Sequence, residues 1–106
     1  MQYKVEFSES AKSDLFDIYY YVAMNDSFDK ADKLMKKIKN KCETLSKMPD
    51  RGIRVKEIYE ERPDLMQIFS SPYNIIYKTE SNSVYVIAIL DGRRNLQELL
   101  GDRILR

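Results

Sequence analysis

Tyr3, Val5 and Phe7 alternate with Gln2, Lys4 and Glu6, which is the period-two signature of a strand with one buried face. Ser8 then stands where a helix cap belongs, and Glu9 lies in the first turn, where a carboxylate is favoured. From here the period changes. Ala11, Leu15, Ile18, Tyr19, Val22 and Ala23 recur at spacings of three and four, placing one apolar stripe on a helix of roughly four turns. Asn25-Asp26-Ser27 interrupts that stripe and caps a second helix. Its apolar positions are Phe28, Ala31, Leu34, Met35, Ile38, Cys42 and Leu45, with Lys30, Lys33, Lys37 and Lys41 outside them. The short polar link folds the two helices back as an antiparallel hairpin. Met48-Pro49-Asp50-Arg51-Gly52 ends it.

Between Gly52 and Asp64 no period is sustained, apart from a short strand or turn around Val55 to Tyr59. This stretch carries Arg51, Arg54, Lys56 and Arg62 on its rim, offset by Glu57, Glu60 and Glu61. It reads either as a functional or mobile loop or as a merely solvated one. Leu65 to Phe69 is a further strand, turned by Ser70-Ser71-Pro72 into Tyr73–Thr79, where Tyr73, Ile75, Tyr77 and Thr79 share one face. Every residue from Val84 to Leu90 is apolar, which implies a strand covered on both sides. The polar link Glu80-Ser81-Asn82-Ser83 makes these two strands an antiparallel hairpin. Beyond it Asn95 is a helix cap with Glu98 at the capping-box spacing, and Leu96, Leu99, Leu100 and Ile104 stripe a short terminal helix. The expected architecture is α+β: an N-terminal strand, an antiparallel helical hairpin on one face of a mainly antiparallel sheet of about four strands, and a short C-terminal helix.

Composition narrows the chemistry. The 106 residues make one domain, and 43% hydrophobic with 33% charged residues describe an ordinary globular chain. A formal net charge of +1 argues against binding nucleic acid through bulk charge. All the arginines, from Arg51 to Arg106, lie in the second half, which makes that half the better anion-recognition surface. There is no histidine and only one cysteine, so the usual zinc ligands, an internal disulfide and the usual neutral-pH acid–base residue are missing. No metal and no cofactor is expected. Cys42 on the second helical stripe reads as a buried thiol. No membrane-spanning run and no leader-type N-terminus are seen, and a reduced, cytoplasmic setting is expected.

The sharpest candidate is Gly92-Arg93-Arg94, two guanidiniums at the end of a buried strand. They could bind phosphate or a carboxylate-rich partner, or stand as solvated charges. In the run Tyr19-Tyr20-Tyr21, Tyr19 is expected in the core, with Tyr20 or Tyr21 offering contact surface or partly buried against loops.

Three stretches, taken in order, resemble the RelE/ParE superfamily of bacterial type II toxins. They are F-S-E-S-A-K-S-D-L-F-D-I-Y-Y-Y-V at Phe7 to Val22, M-P-D-R-G at Met48 to Gly52, and Y-N-I-I-Y-K with V-Y-V-I-A-I-L-D-G-R-R-N at Tyr73 to Lys78 and Val84 to Asn95. Together they span nearly the whole chain. In RelE-like members the resemblance would imply ribosome-dependent cleavage of messenger RNA. The positions matching that group's catalytic arginines and tyrosine are Asn74, Arg94 and Leu100, of which only Arg94 keeps the required chemistry. ParE-like members poison DNA gyrase by binding, and the long helical hairpin with G-R-R-N resembles this branch more closely; a non-toxic module that serves only to bind its antitoxin is the further alternative. The resemblance further implies a role in plasmid stabilisation and a cognate antitoxin partner whose tail folds across the toxin. It also implies assembly as a homodimer or as a heterotetramer with that antitoxin. Arg93 and Arg94 are the expected target or antitoxin contacts, followed by Arg51 and Arg54.

Overall fold

The computed structural model describes residues 2–104. The chain runs β1 (Lys4–Phe7), α1 (Glu9–Asn25), α2 (Phe28–Glu43), β2 (Ile53–Arg54), β3 (Met66–Ser70), β4 (Tyr73–Glu80), β5 (Ser83–Asp91) and α3 (Leu96–Ile104). The helix caps form where the sequence places them. Ser8 Oγ accepts the Ala11 N–H at 3.0 Å, Ser27 Oγ the Lys30 N–H at 3.1 Å, and Asn95 Oδ1 the Glu98 N–H at 3.1 Å.

The sheet has five strands in the order β1-β5-β4-β3-β2. It is antiparallel throughout except where β1 runs parallel to β5. The strand beyond the expected four is β2, too short to leave a periodic signal. The β4–β5 link is also shorter than expected, with Glu80 opposite Ser83 and only Ser81-Asn82 between them. Ser81 adopts φ 56°, the left-handed geometry that such a two-residue turn requires.

Two cores lie back to back across the sheet. The helical hairpin buries Ala11, Leu15, Ile38, Cys42 and Leu45 against Ile68, Ile75, Tyr77, Val84, Val86 and Ile89. On the other face α3 sets Leu96 and Leu100 against Val55, Ile58, Leu65, Ile76, Ala88 and Leu90. The uninterrupted apolar run of β5 serves both faces. Its alternation also switches side part-way: Ile76 pairs with Ala88 but Tyr77 with Val86, so Ile87 is an extra, bulged residue. Val86 and Ile89 therefore face the hairpin, while Ala88 and Leu90 face α3.

The stretch after the hairpin is packed, contrary to the loop expected from its sequence. Of the strand or turn considered around Val55 to Tyr59, the structure forms the turn, a short 3-10 segment at Lys56–Ile58, and Val55, Ile58 and Leu65 are all buried. Its anchor is Tyr77, fully buried, whose hydroxyl donates to the Pro49 carbonyl at 2.7 Å and accepts the Gly52 N–H at 3.0 Å. A Cβ on Gly52 would sit 2.5 Å from that hydroxyl, which is why glycine closes the M-P-D-R-G turn. Tyr19 departs from expectation as well. It is half-buried between the helices, because its hydroxyl reaches out to Asp32 at 3.0 Å.

Candidate functional site

β1 stops at Phe7, opposite Val86, so the last residues of β5 are paired with β4 on one side and have no strand on the other. Side chains fill the gap. Asp14 of α1 accepts the Ile89 N–H at 2.9 Å, and Ser8 Oγ donates to the carbonyl of the bulged Ile87 at 3.3 Å. Arg103 of α3 donates to both Asp14 oxygens, at 2.9 and 3.1 Å, and to the same Ile87 carbonyl at 3.2 Å. This network joins α1, β5 and α3 while leaving an open groove above the strand end. The groove holds about 380 Å³ and is lined by Asp14, Asp17, Tyr21, Tyr73, Arg93 and Arg94 over Ile89 to Asp91.

The turn that presents the arginines depends on close backbone approach. The Gly92 N–H donates to the Pro72 carbonyl at 2.8 Å, and a Cβ there would lie 2.4 Å from Asn74 Oδ1. Asp91 then takes hold of Arg93, accepting its backbone N–H at 2.9 Å and its guanidinium at 2.9 and 2.6 Å. That guanidinium, helped by the backbone N–H, pulls the Asp91 carboxyl from 3.8 down to about 2 and raises Arg93 in turn. Arg93 is thus largely neutralised where it stands. Arg94 is exposed, and its guanidinium makes no hydrogen bond or ion pair among the described residues. Beside Asp91 on β4, burial and then the Asp91 charge push the Tyr73 hydroxyl above its ordinary value.

Of the four arginines expected to matter, Arg93 and Arg94 meet in this groove, whereas Arg51 and Arg54 do not. Arg51 is exposed and bonds Thr44 Oγ1; Arg54, also exposed, lies on β2 and bonds the Pro63 carbonyl. β2 lies three strand positions from β5, roughly 14 Å across the sheet. Asn74 is buried and donates to Gln67 Oε1 at 2.8 Å, and Leu100 is fully buried in the α3 core. Neither can reach a ligand in the groove. Cys42 is buried and its thiol is pushed up to about 12, chiefly by desolvation, which fits the inert thiol expected. Asp14 and Asp17 escaped the sequence reading, because two carboxylates on the polar side of an amphipathic helix carry no periodic signal. Tyr21 was legible as contact surface, whereas Tyr73 showed only its strand face.

Three likenesses accompany this geometry. The family described as ParE toxin of type II toxin–antitoxin system, parDE, matches residues 5–96. Toxin ParE3 of Caulobacter vibrioides is 28% identical over 90 residues, covering 85% of this chain and 87% of that one. A chain from the solved chromosomal ParDE toxin–antitoxin system of P. aeruginosa superposes with a TM-score of 0.71 at 17% identity. The superposition covers 83% of this chain and 94% of the other, so the fold is shared.

Proposed function

The chain belongs to the ParE toxin family of type II toxin–antitoxin systems, and on that premise we propose that it arrests growth by binding DNA gyrase and is neutralised by a cognate antitoxin. The chemistry of the groove carries the reading. A ribonuclease would need a base for the 2′-hydroxyl and cations for the phosphate. Asp91 is held by Arg93, Asp14 by Arg103, and Tyr73 keeps its proton more tightly than a free tyrosine, which leaves Asp17 as the one lining carboxylate and Arg94 as the one lining cation without a partner among the described residues. Asp14, Asp17 and Asp91 outnumber the two lining arginines, which disfavours a nucleic-acid backbone. A protein partner suits this mixed surface better. Tyr21 and Tyr73 supply amphipathic contact area, and Arg94 supplies an unengaged guanidinium that can pair with a carboxylate. In this reading the toxin works in the cytoplasm and its effect is exerted by binding, with the chemistry left to the target.

The test is DNA supercoiling by purified gyrase in the presence of the protein, beside cleavage of messenger on programmed ribosomes using the same preparation. Inhibited supercoiling with intact messenger is expected. Cleaved messenger with unaffected gyrase would overturn the reading.

A further inference from the structure

On the α3 side of the sheet, β5 presents Ala88 and then Leu90, and the next position on that face is Gly92. Backbone conformation does not call for glycine there, because no glycine among the described residues has a positive φ. A neighbouring side chain does. A Cβ at position 92 would clash with Asn74 Oδ1 and lie 3.3 Å from Asn74 Cγ, with the Pro72 carbonyl at 3.2 Å. Asn74 stands on β4 opposite Leu90 on one side and Phe69 on the other, so its amide shares the α3 face and lies diagonal to Gly92. That amide is buried, and its Nδ2 donates to Oε1 of the buried Gln67 at 2.8 Å.

Two buried amides are unexpected on this face. Ile76 and Leu90 beside them are apolar, and an apolar pair would extend that core without desolvating polar groups. A hydrogen-bonded pair instead holds one geometry. Gln67 fixes the Asn74 side chain, that side chain fills the space under Gly92, and the Gly92 N–H closes the turn by donating to the Pro72 carbonyl at 2.8 Å. The next two residues are Arg93, clamped by Asp91 through three hydrogen bonds, and Arg94, whose N–H donates to the Asp91 carbonyl at 3.1 Å. A shift at Gly92 therefore carries both guanidiniums with it. We infer that Asn74 is a positioning residue for Arg93 and Arg94: held by Gln67, it fills the space beneath Gly92 and so sets where the strand end turns and delivers the two side chains to the groove. Asn74 acts only through Gly92. The importance of that delivery for target binding rests on the function proposed above; the packing does not.

The test is a cycle of Gly92→Ala, Asn74→Ala and the two together, read in two ways. The first reading is the titration of Asp91, followed by NMR of its carboxyl carbon, because Arg93 holds that group at about 2 only while the turn keeps its shape. Gly92→Ala should return it toward 3.8, and Asn74→Ala, which adds no atom to the turn, should move it part of the way. In the double variant the added methyl enters the space that the amide left, and Asp91 should fall back below its Gly92→Ala value. The second reading is gyrase inhibition. Its half-inhibition concentration should rise about tenfold in Gly92→Ala, the scale of one charge-assisted contact, and recover in the double variant. Ile38→Ala, which weakens the core on the other face of the sheet, should leave both readings at wild type. An Asp91 titration unchanged in Asn74→Ala, losses that add in the double variant, or equal shifts in Ile38→Ala would each overturn the inference. Wild-type protein that leaves gyrase active, with the Asp91 titrations as expected, would remove the gyrase reading and leave Asn74 in its role.

Discussion

Adjacent arginines with the same side chain have different freedom here, and the difference comes from one carboxylate. Asp91 engages Arg93 through three hydrogen bonds and leaves Arg94 unclaimed. If the chain binds gyrase as proposed, Arg94→Glu is expected to cost most of the inhibition, whereas Arg93→Ala should reduce it only a few-fold. Equal losses in a supercoiling titration would show that the two act as one patch. Because folded Asp91 titrates at about 2 rather than 3.8, its contribution to stability is complete above about pH 4 and is lost as pH falls toward 2. Asp91→Asn should accordingly show a shallower fall in melting temperature over that window than wild type. Tyr77 illustrates a role that its sequence position concealed. A buried strand tyrosine is readable from period two, but the hydroxyl that fastens Pro49 and Gly52 is not. Tyr77→Phe strands a carbonyl and an N–H in a packed turn, and should destabilise by about 1–3 kcal/mol, seen as a lower urea midpoint with unchanged slope.

At the scale of elements, the local signals were strong wherever the chain interacts with itself nearby. Ser8, Ser27 and Asn95 cap the helices that follow them, and Asp29 pairs with Lys33 at 3.1 Å, as four-residue spacing on a helix predicts. The bulge at Ile87 left no such signal, because an all-apolar strand reads the same whichever face each residue takes. Its exposed edge is completed by residues remote in sequence, with Asp14 and Arg103 separated by 89 positions. That pair is mostly shielded from solvent, at 15% and 25% side-chain exposure, so it should count for more than a surface ion pair. Asp14→Asn should loosen α3 while leaving the helical hairpin in place. Hydrogen exchange is expected to speed at Leu99 to Arg103 and not at Ile38 to Cys42; uniform acceleration would mean that the pair supports the whole fold.

Across the whole molecule, the two cores share one sheet and so should share one unfolding transition. Ile75 points into the hairpin core and Ile76 into the α3 core, neighbours on the same strand. Leu100→Ala removes a fully buried side chain from the smaller core and should cost about 2–5 kcal/mol while far- and near-ultraviolet transitions remain coincident. An early far-ultraviolet step that leaves the near-ultraviolet tyrosine signal intact would show that α3, which carries no aromatic residue, unfolds on its own. The α+β class, the element order, the helical hairpin with its caps, the β4–β5 hairpin and the delivery of Arg93 and Arg94 to a strand end were all legible in the order of residues. Each of these follows from periodicity, capping or turn chemistry, which act over a few residues. The parallel placement of β1, the fifth strand, the packing of the stretch after Gly52, the bulge that divides β5 between two cores, and the acidic lining of the arginine groove emerged only once the chain was folded. Those outcomes depend on which distant groups satisfy a strand edge or fill a space, and a one-dimensional pattern of apolar and polar residues does not encode such pairings.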